Sequence, residues 1–333
     1  MNGIAIALDN LTVYWSGVII ALGIASALML TQSLYTSHGG NRTAVLAFMP
    51  IALIFSVVLS RMLHWYCHSE QYAGFLKAVT DYSNGDFCLP GVVLGCYLAA
   101  LTVRALGFTG NIGRLLDCFA PGAALCIGLI RLSALFNTSC RSKIAVENTL
   151  LQRLPFASQV SSGEYRFATF FVEFILFMLV FASLMRFFVR RRRYPMKGGQ
   201  KRDGNTVLVL LMYYGAIELL LDSTRYDSSF LPFNGFVSVG QIAAAVCVFI
   251  PLLVFSIRSV RVNGMRFMHW AMWLGWVLAI GATGVLEYLV QRHGNWYLGC
   301  YGGMTLSCAM MAAIPYWMYL TVCDKRAAGR HRR

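Results

Sequence analysis

Nine long apolar runs, separated by short polar segments, dominate the pattern of hydrophobic and polar positions along the chain. Each run is close to the roughly 20 residues that an α-helix needs to cross the hydrocarbon core of a bilayer. No polar segment between the runs is longer than a loop. The pattern therefore predicts an all-α, polytopic integral membrane protein with about nine transmembrane helices. The predicted spans are residues 12–34, 44–66, 88–108, 116–136, 165–189, 205–222, 237–257, 267–290 and 299–322.

Positive charge is concentrated in alternate connecting segments. Most of the 28 Lys and Arg residues lie in five segments that nine crossings would place on one side of the bilayer, among them 186–202 and 325–333. Cytoplasmic loops carry the excess of Lys and Arg in membrane proteins. An odd number of spans then predicts an N-terminus outside the cytoplasm and a C-terminus inside it.

Composition agrees with a membrane protein and argues against other classes. Charged residues make up only 13% of the chain, whereas soluble domains contain about 25%. The formal net charge of +14 would suit a nucleic-acid-binding protein, but the basic residues form short blocks between apolar runs, so contact with anionic lipid is favoured. The ten cysteines include no CxxC pair and H-E-x-x-H is absent, so the sequence predicts no metal site; G-x-S-x-G is also absent, so nothing supports a serine hydrolase.

Ionisable residues inside the predicted spans are the main candidates for function. Each costs about 3 kcal/mol at the centre of a bilayer, so it needs a partner or a polar cavity. Glu218 and Asp222 lie one helical turn apart on one face, and Arg225 continues that face. The residues of this kind that we single out within the spans are Arg61, Arg131, Glu173, Glu218 and Asp222.

Arg131 is the most informative of these residues. It lies between AALCIGLI and LSALFN, toward the outer half of its span. A guanidinium at that depth suits the phosphate of a lipid head group, which it can bind through two parallel hydrogen bonds. A structural alternative stays open, in which Arg61 and Arg225 extend to the outer interface and acids such as Glu173 pair with them.

Several stretches resemble the prolipoprotein diacylglyceryl transferase family of bacterial inner membranes. DCFAPGAALCIGLIRLSALFN is similar to the family's D-x-x-A-P segment followed by G-R-L-G-N-F-x-N. YYGAIELLLDSTRYD and FVSVGQI are similar to its Y-G-x-x-R-x-x-x-E-x-x-R and S-x-G-Q segments, and SRMLHWY is similar to G-G-R-x-G-Y. The elements keep the family's order across residues 12–260. The matching residues include Asp117, Pro121, Arg131, Asn137, Tyr214, Gly215, Arg225, Ser238 and Gln241.

The resemblance implies a fold and an activity. Residues 1–260 would form a seven-helix transferase-like core, and residues 261–333 two additional transmembrane helices with a basic cytoplasmic tail. The family moves diacylglyceryl from phosphatidylglycerol to the lipobox cysteine thiol of a prolipoprotein and releases glycerol phosphate. The expected partners are therefore phosphatidylglycerol or a similar anionic phospholipid and the prolipoprotein signal peptide, in the bacterial cytoplasmic (inner) membrane. No metal or soluble cofactor is implied.

The resemblance also assigns roles to residues. Arg131 would hold the phosphate, while Asp222 or Glu218 would orient groups or take the thiol proton, and these three form the predicted catalytic set. The predicted substrate-binding residues are Arg61, Asn137, Tyr214, Arg225, Gln241 and Arg166.

Several positions depart from the family's pattern, among them Asp222, which stands in place of a glutamate, and three further positions. Pro90 replaces a histidine, Ala134 replaces an asparagine, and Glu218 stands where the family has an arginine. Two other functions therefore stay open. One is a non-catalytic protein that binds phospholipid or lipoprotein on the same scaffold. The other is a transporter of small molecules or lipids that uses the polar stripe as its path.

Overall fold

The computed structural model is mostly helical. It describes residues 4–8, 11–72, 74–80, 88–136, 142–161, 163–191, 196–199, 203–226, 228–231, 234–293 and 296–323. Within these residues the chain forms eleven α-helices. They are α1 (Trp15–Ser37), α2 (Arg42–Cys67), α3 (Phe75–Thr80), α4 (Leu89–Ala105), α5 (Ile112–Ser133), α6 (Thr149–Gln152), α7 (Thr169–Arg191), α8 (Asn205–Leu221), α9 (Val239–Asn263), α10 (Phe267–His293) and α11 (Tyr297–Val322).

Every predicted span corresponds to one of these helices. Eight helices in the described part of the chain are long and apolar enough to cross a membrane, and α4, with 17 residues, is a shorter apolar helix. The prediction of an all-α polytopic membrane protein is confirmed, and the count of nine spans is approximate. A backbone at membrane depth must satisfy its own hydrogen bonds, which is why long apolar runs fold as helices.

The described residues also form three short antiparallel hairpins, one before α1, one between α6 and α7 and one between α8 and α9. They are β1 (Ile4–Leu8) with β2 (Leu11–Tyr14), β3 (Ala157–Ser161) with β4 (Glu164–Phe167), and β5 (Phe230–Leu231) with β6 (Asn234–Ser238). The first span was predicted to begin at residue 12, but the helix begins at Trp15, after β2. The segment LTVY combines β-branched and aromatic residues, which favour a strand, and it follows the turn-forming types Asp9 and Asn10.

The chain divides into two compact units. The first contains Met1–Ser183 and Thr224–Gly240, and the second contains Leu184–Ser223 and Gln241–Arg333. In the first unit α2 packs against α4 and α1 packs against α5, and in the second α10 packs against α11 and α11 against α8. The predicted boundary at residue 260, which separates a transferase-like core from two additional helices, is a different kind of division and stays a prediction.

Small residues set the distance between α2 and α4. Gly91, Gly95 and Ala99 are spaced four residues apart along one face of α4. A Cβ on Gly95 would lie 2.5 Å from the backbone nitrogen of Ser56 on α2. The hydroxyl of Ser60 donates a hydrogen bond to the Cys88 carbonyl at 2.9 Å, immediately before α4. Close approach of backbones through small residues is the usual way in which helices associate in lipid, where hydrophobic burial supplies no driving force.

We expect Gly95→Ala to destabilise the protein by about 1–3 kcal/mol, because the added methyl group has to displace the α2 backbone. The measurement is thermal unfolding of the purified protein in detergent. Gly281→Ala in α10 is the matched control, since a Cβ there meets no atom within 4 Å. Equal unfolding temperatures for the two variants would contradict the packing described here.

Candidate functional site

Three charged side chains of the first unit meet at one place. Arg131 lies in the last turn of α5, Glu173 one turn into α7, and Arg225 in the segment after α8. The Arg131 Nε atom is 3.1 Å from Oε2 of Glu173, and the Arg225 Nη1 atom is 3.4 Å from Oε1 of the same carboxylate. The glutamate side chain is 2% exposed, whereas those of Arg131 and Arg225 are 14% and 13% exposed. We call these three residues the arginine cluster.

Hydrogen bonds outside the charged groups fix the register of this cluster. Thr169 begins α7, four residues before Glu173, and its hydroxyl lies 2.9 Å from that of Thr224. The carbonyl of Thr224 accepts hydrogen bonds from the Ser142 hydroxyl at 3.0 Å and from the Lys143 N–H at 2.8 Å. Thr224 is therefore held on both sides, and the backbone of its neighbour Arg225 is held with it.

The arginine cluster has an excess of positive charge. A guanidinium stays protonated in proteins, so two guanidiniums share the single negative charge of an ionised Glu173. The cluster is largely buried, so its excess positive charge attracts an anion more strongly than it would in water, because attraction is less screened in a low-dielectric surrounding. The accessible fraction of Arg131 and Arg225 leaves the excess within reach of an anion. The structural alternative paired acids such as Glu173 with Arg61 and Arg225; Glu173 does contact Arg225, and its contact with Arg131 was not part of that alternative.

Arg166 lies beside the same segment but pairs with a different acid. It sits in β4, where Nη2 is 2.7 Å from Oε1 of Glu164, and Nε donates to the same oxygen at 2.8 Å. Its guanidinium also donates to the Ser142 carbonyl at 3.4 Å and lies over the Tyr226 ring, 4.9 Å from the centroid. The hydrogen bond to Glu164, followed by that to Tyr226, raises the pKa of Arg166 above its usual value.

Arg61 lies in α2 and is 1% exposed. Its neighbour one turn away, His64, is also buried, with Nδ1 3.3 Å from the Tyr72 hydroxyl oxygen and its ring stacked on His68. Among the described residues there is no group of three or more His, Cys, Asp and Glu side chains that could hold a metal ion. The surroundings of His64 are thus those of a packed aromatic cluster.

The second unit contains four of the predicted site residues. Tyr214 and Glu218 lie on α8, Asp222 follows in the next turn, and Gln241 lies in α9. All four are at least 94% buried. The spacing of four residues between the first three places them in a stripe on one helical face. The remaining predicted residue, Asn137, lies outside the described residues.

Sequence reasoning missed one buried acid in this unit. Glu287 lies in α10, is 7% exposed, and accepts a hydrogen bond from the Gln241 amide nitrogen at 2.5 Å. The signal was present in the sequence, because VLEYLV places an acid inside the predicted span 267–290.

We expect Glu173→Gln to lower the free energy of unfolding by about 3 kcal/mol, because it removes the buried negative charge that both guanidiniums contact. Thermal unfolding in detergent measures the loss. Glu164→Gln is the control, since it makes the same change in a pair whose glutamate side chain is 44% exposed, where ion pairs contribute less than about 1 kcal/mol. Similar losses in both variants would show that Glu173 has no special role.

Comparison with known proteins identifies the family of the chain. Residues 3–257 match the family described as prolipoprotein diacylglyceryl transferase. Relatives named phosphatidylglycerol–prolipoprotein diacylglyceryl transferase, from Streptococcus pyogenes serotypes M5 (strain Manfredo), M49 (strain NZ131) and M1, are 24% identical to this chain over 269 residues. The alignment covers 80% of this chain and 98% of each relative. The chain therefore belongs to the prolipoprotein diacylglyceryl transferase family.

Proposed function

We propose that this protein transfers diacylglyceryl from phosphatidylglycerol to the lipobox cysteine thiol of a prolipoprotein. The observation that carries the proposal is the arginine cluster, in which Arg131 and Arg225 share one buried carboxylate and keep a net positive charge. A phospholipid phosphate is the anion that belongs at membrane depth. Family membership indicates the reaction class, and the arginine cluster provides the positive charge that the departing phosphate needs.

The reaction increases negative charge at one place. The thiolate sulfur attacks the glycerol carbon that carries the phosphate, a C–S bond forms, and the C–O bond breaks with its electrons going to the phosphate oxygen. The phosphodiester carries one negative charge, and the departing phosphomonoester gains another until it takes up a proton. The thiol proton is lost to a base, so atoms and charge balance. Hydrogen-bond donors that point at the oxygen where this charge develops stabilise the transition state more than the bound substrate, and so they accelerate the reaction.

Glu173 prepares the two guanidiniums for this role. The carboxylate contacts Nε of Arg131 and Nη1 of Arg225 and so holds both guanidiniums at one place. A guanidinium carries five N–H donors in a planar fork, which suits a phosphate. A guanidinium already held in position loses less conformational entropy when a phosphate binds.

We place the cluster at the outer leaflet of the bacterial inner membrane. The excess of basic residues in alternate segments puts the N-terminus outside and the C-terminus in the cytoplasm. In that orientation α5 ends and α7 begins on the outer side, where Arg131 and Glu173 lie.

Residues 1–260 would form the transferase-like core and residues 261–333 an addition to it. Binding of the lipid and signal peptide through Arg61, Tyr214, Arg166 and Asn137, and proton transfer by Asp222 or Glu218, remain predictions from the family resemblance.

A second candidate function, binding of phospholipid or lipoprotein without chemistry, is favoured by Pro90. This residue occupies the first turn of α4, where the family resemblance places a histidine. Proline suits that position because its fixed φ fits a helix start, but its side chain carries no group that can accept a proton. The same arginine cluster would serve both functions, so chemistry has to be tested directly.

The test is complementation of a bacterium depleted of its own diacylglyceryl transferase. We expect the wild-type chain to restore growth and lipoprotein modification, and Arg131→Ala to reduce transfer by about 100-fold or more, because the leaving phosphate loses a preorganised donor. Arg131→Lys keeps the charge without the planar fork, and we expect intermediate activity.

Arg153→Ala is the matched control, since it removes an exposed cation of the same unit outside the cluster. It should complement as well as the wild type. A wild-type chain that accumulates in the membrane, binds phosphatidylglycerol and does not restore modification would refute the transferase function and support the binding function.

A further inference from the structure

The connection between α5 and α7 forms a small sheet with the segment that carries Arg225. Strands β3 and β4 pair with each other, and residues 142–146 lie along the other side of β4, to which two backbone hydrogen bonds of 2.9 Å join them. Ser142, the first of these residues, forms an antiparallel bridge with Arg225. All of these residues belong to the first unit. One arginine of the arginine cluster is therefore held by a sheet and not by a helix.

The contacts of Ser142 reach the chain next to Arg225. This serine is completely buried, and its hydroxyl donates a hydrogen bond to the Thr224 carbonyl at 3.0 Å. The same hydroxyl oxygen accepts from the Ile144 N–H at 3.1 Å. The Ser142 carbonyl accepts from Nη1 of Arg166 at 3.4 Å. Ser142 is thus fixed by its own neighbours while it holds Thr224.

The Thr224 carbonyl belongs to the peptide bond that leads into Arg225. A peptide bond is planar, so the direction of this oxygen determines how the chain enters Arg225. A carbonyl oxygen has two lone pairs, and here the Ser142 hydroxyl and the Lys143 N–H donate to it at 3.0 and 2.8 Å. The peptide cannot rotate without breaking one of these bonds. They therefore fix the point from which the Arg225 side chain starts.

We propose that Ser142 is a positioning residue that sets, through the Thr224 peptide, the direction in which Arg225 presents its guanidinium to a phosphate. The inference rests on the proposed function, because it takes the phosphate of phosphatidylglycerol as the ligand of the arginine cluster. Glu173 holds the far end of the Arg225 side chain, with its Oε1 3.4 Å from Nη1, and Ser142 holds the near end. A side chain held at both ends loses less conformational entropy when its ligand binds.

The two arginines of the cluster are positioned by different parts of the fold. Arg131 lies in the last turn of α5, where the helical backbone sets its direction. Arg225 lies after the end of α8, where the bonds from Ser142 and Lys143 have that role. The Ser142 hydroxyl should therefore contribute to phosphate binding only while Arg225 is present, whether or not Arg131 is. A serine that only stabilised the fold would show no such dependence.

The test measures the affinity of the full-length protein in detergent for phosphatidylglycerol, from the shift of the unfolding temperature as the lipid is titrated. We expect Ser142→Ala to bind the lipid about fivefold more weakly than the wild type, because one hydrogen bond that orients an anion-binding group is lost. Ser158→Ala is the control, since it removes a serine hydroxyl from β3, on the far side of the same sheet, and its affinity should be unchanged. Unchanged affinity in Ser142→Ala would overturn the proposal.

The same substitution in two other backgrounds separates positioning from packing. In Arg225→Ala protein we expect Ser142→Ala to weaken binding by less than about twofold, whereas in Arg131→Ala protein the loss should again be about fivefold. A fivefold loss in the absence of Arg225 would show that Ser142 acts through the fold as a whole, and the positioning role would be wrong.

Thr169→Val is a second variant, which keeps the role testable if Ser142→Ala does not fold. It retains the side-chain volume and removes the hydroxyl contact of 2.9 Å that holds Thr224 from the side of α7. We expect a weaker affinity that disappears as an effect once Arg225 is replaced by alanine. A loss that persists without Arg225 would mean that the contacts of Thr224 serve stability alone.

Kinetics adds a readout that a purely structural serine would not change. In a transfer assay we expect the kcat of Ser142→Ala to fall by about tenfold with a smaller change in KM, because a displaced guanidinium costs most where negative charge develops. An unchanged kcat with a raised KM would contradict this role. A wild type that binds the lipid and transfers nothing refutes the transferase function, and the binding measurements then still decide the role of Ser142.

Discussion

The structure of the first unit depends on one constraint: a carboxylate that is almost completely buried has to be shared by two guanidiniums. Burying a charge is costly unless it is paired and hydrogen-bonded, so Glu173 requires arginine partners at that depth. Two arginines and one acid carry together a formal charge of +1. This excess of positive charge would be costly if the cluster were only structural, but it suits the binding of a phosphate. The Thr169–Thr224 contact keeps the arrangement in register.

Rigid packing elsewhere in the unit serves the same requirement. The α2–α4 contact brings backbones so close that even a Cβ on Gly95 would overlap the opposite helix. Such a contact has few alternative geometries, because small residues leave no flexible side chains to rearrange. Arg61 lies one residue after Ser60, whose hydroxyl bonds the chain just before α4, so this buried cation is carried on a fixed stretch of helix. Polar residues in a bilayer can be tolerated where their helices cannot move apart.

Local sequence properties predicted most of the fold and part of the candidate site. Hydropathy identified every long helix, because a long apolar segment in lipid has to satisfy its own backbone hydrogen bonds and therefore folds as a helix. It placed the first helix start three residues early, because an apolar strand and an apolar helix start look alike over four residues. Arg131 and Glu173 were recognised as costly, yet their contact depends on the packing of α5 and α7, which no local pattern encodes. Glu287 is also an ionisable residue inside a predicted span, with the same energetic cost, but it was overlooked among its apolar neighbours.

A proline at position 90, where the family resemblance places a histidine, changes what the arginine cluster would have to do. A thiol is a weak nucleophile until it loses its proton, and Pro90 cannot take that proton. The phosphate, however, becomes more basic as the C–O bond breaks, since a diester oxygen turns into a monoester oxygen with a second pKa of about 6. The arginines would then stabilise the charge in the transition state, and the departing phosphate could take up a proton afterwards. A larger share of the barrier would therefore depend on Arg131 and Arg225 than if a histidine stood at position 90.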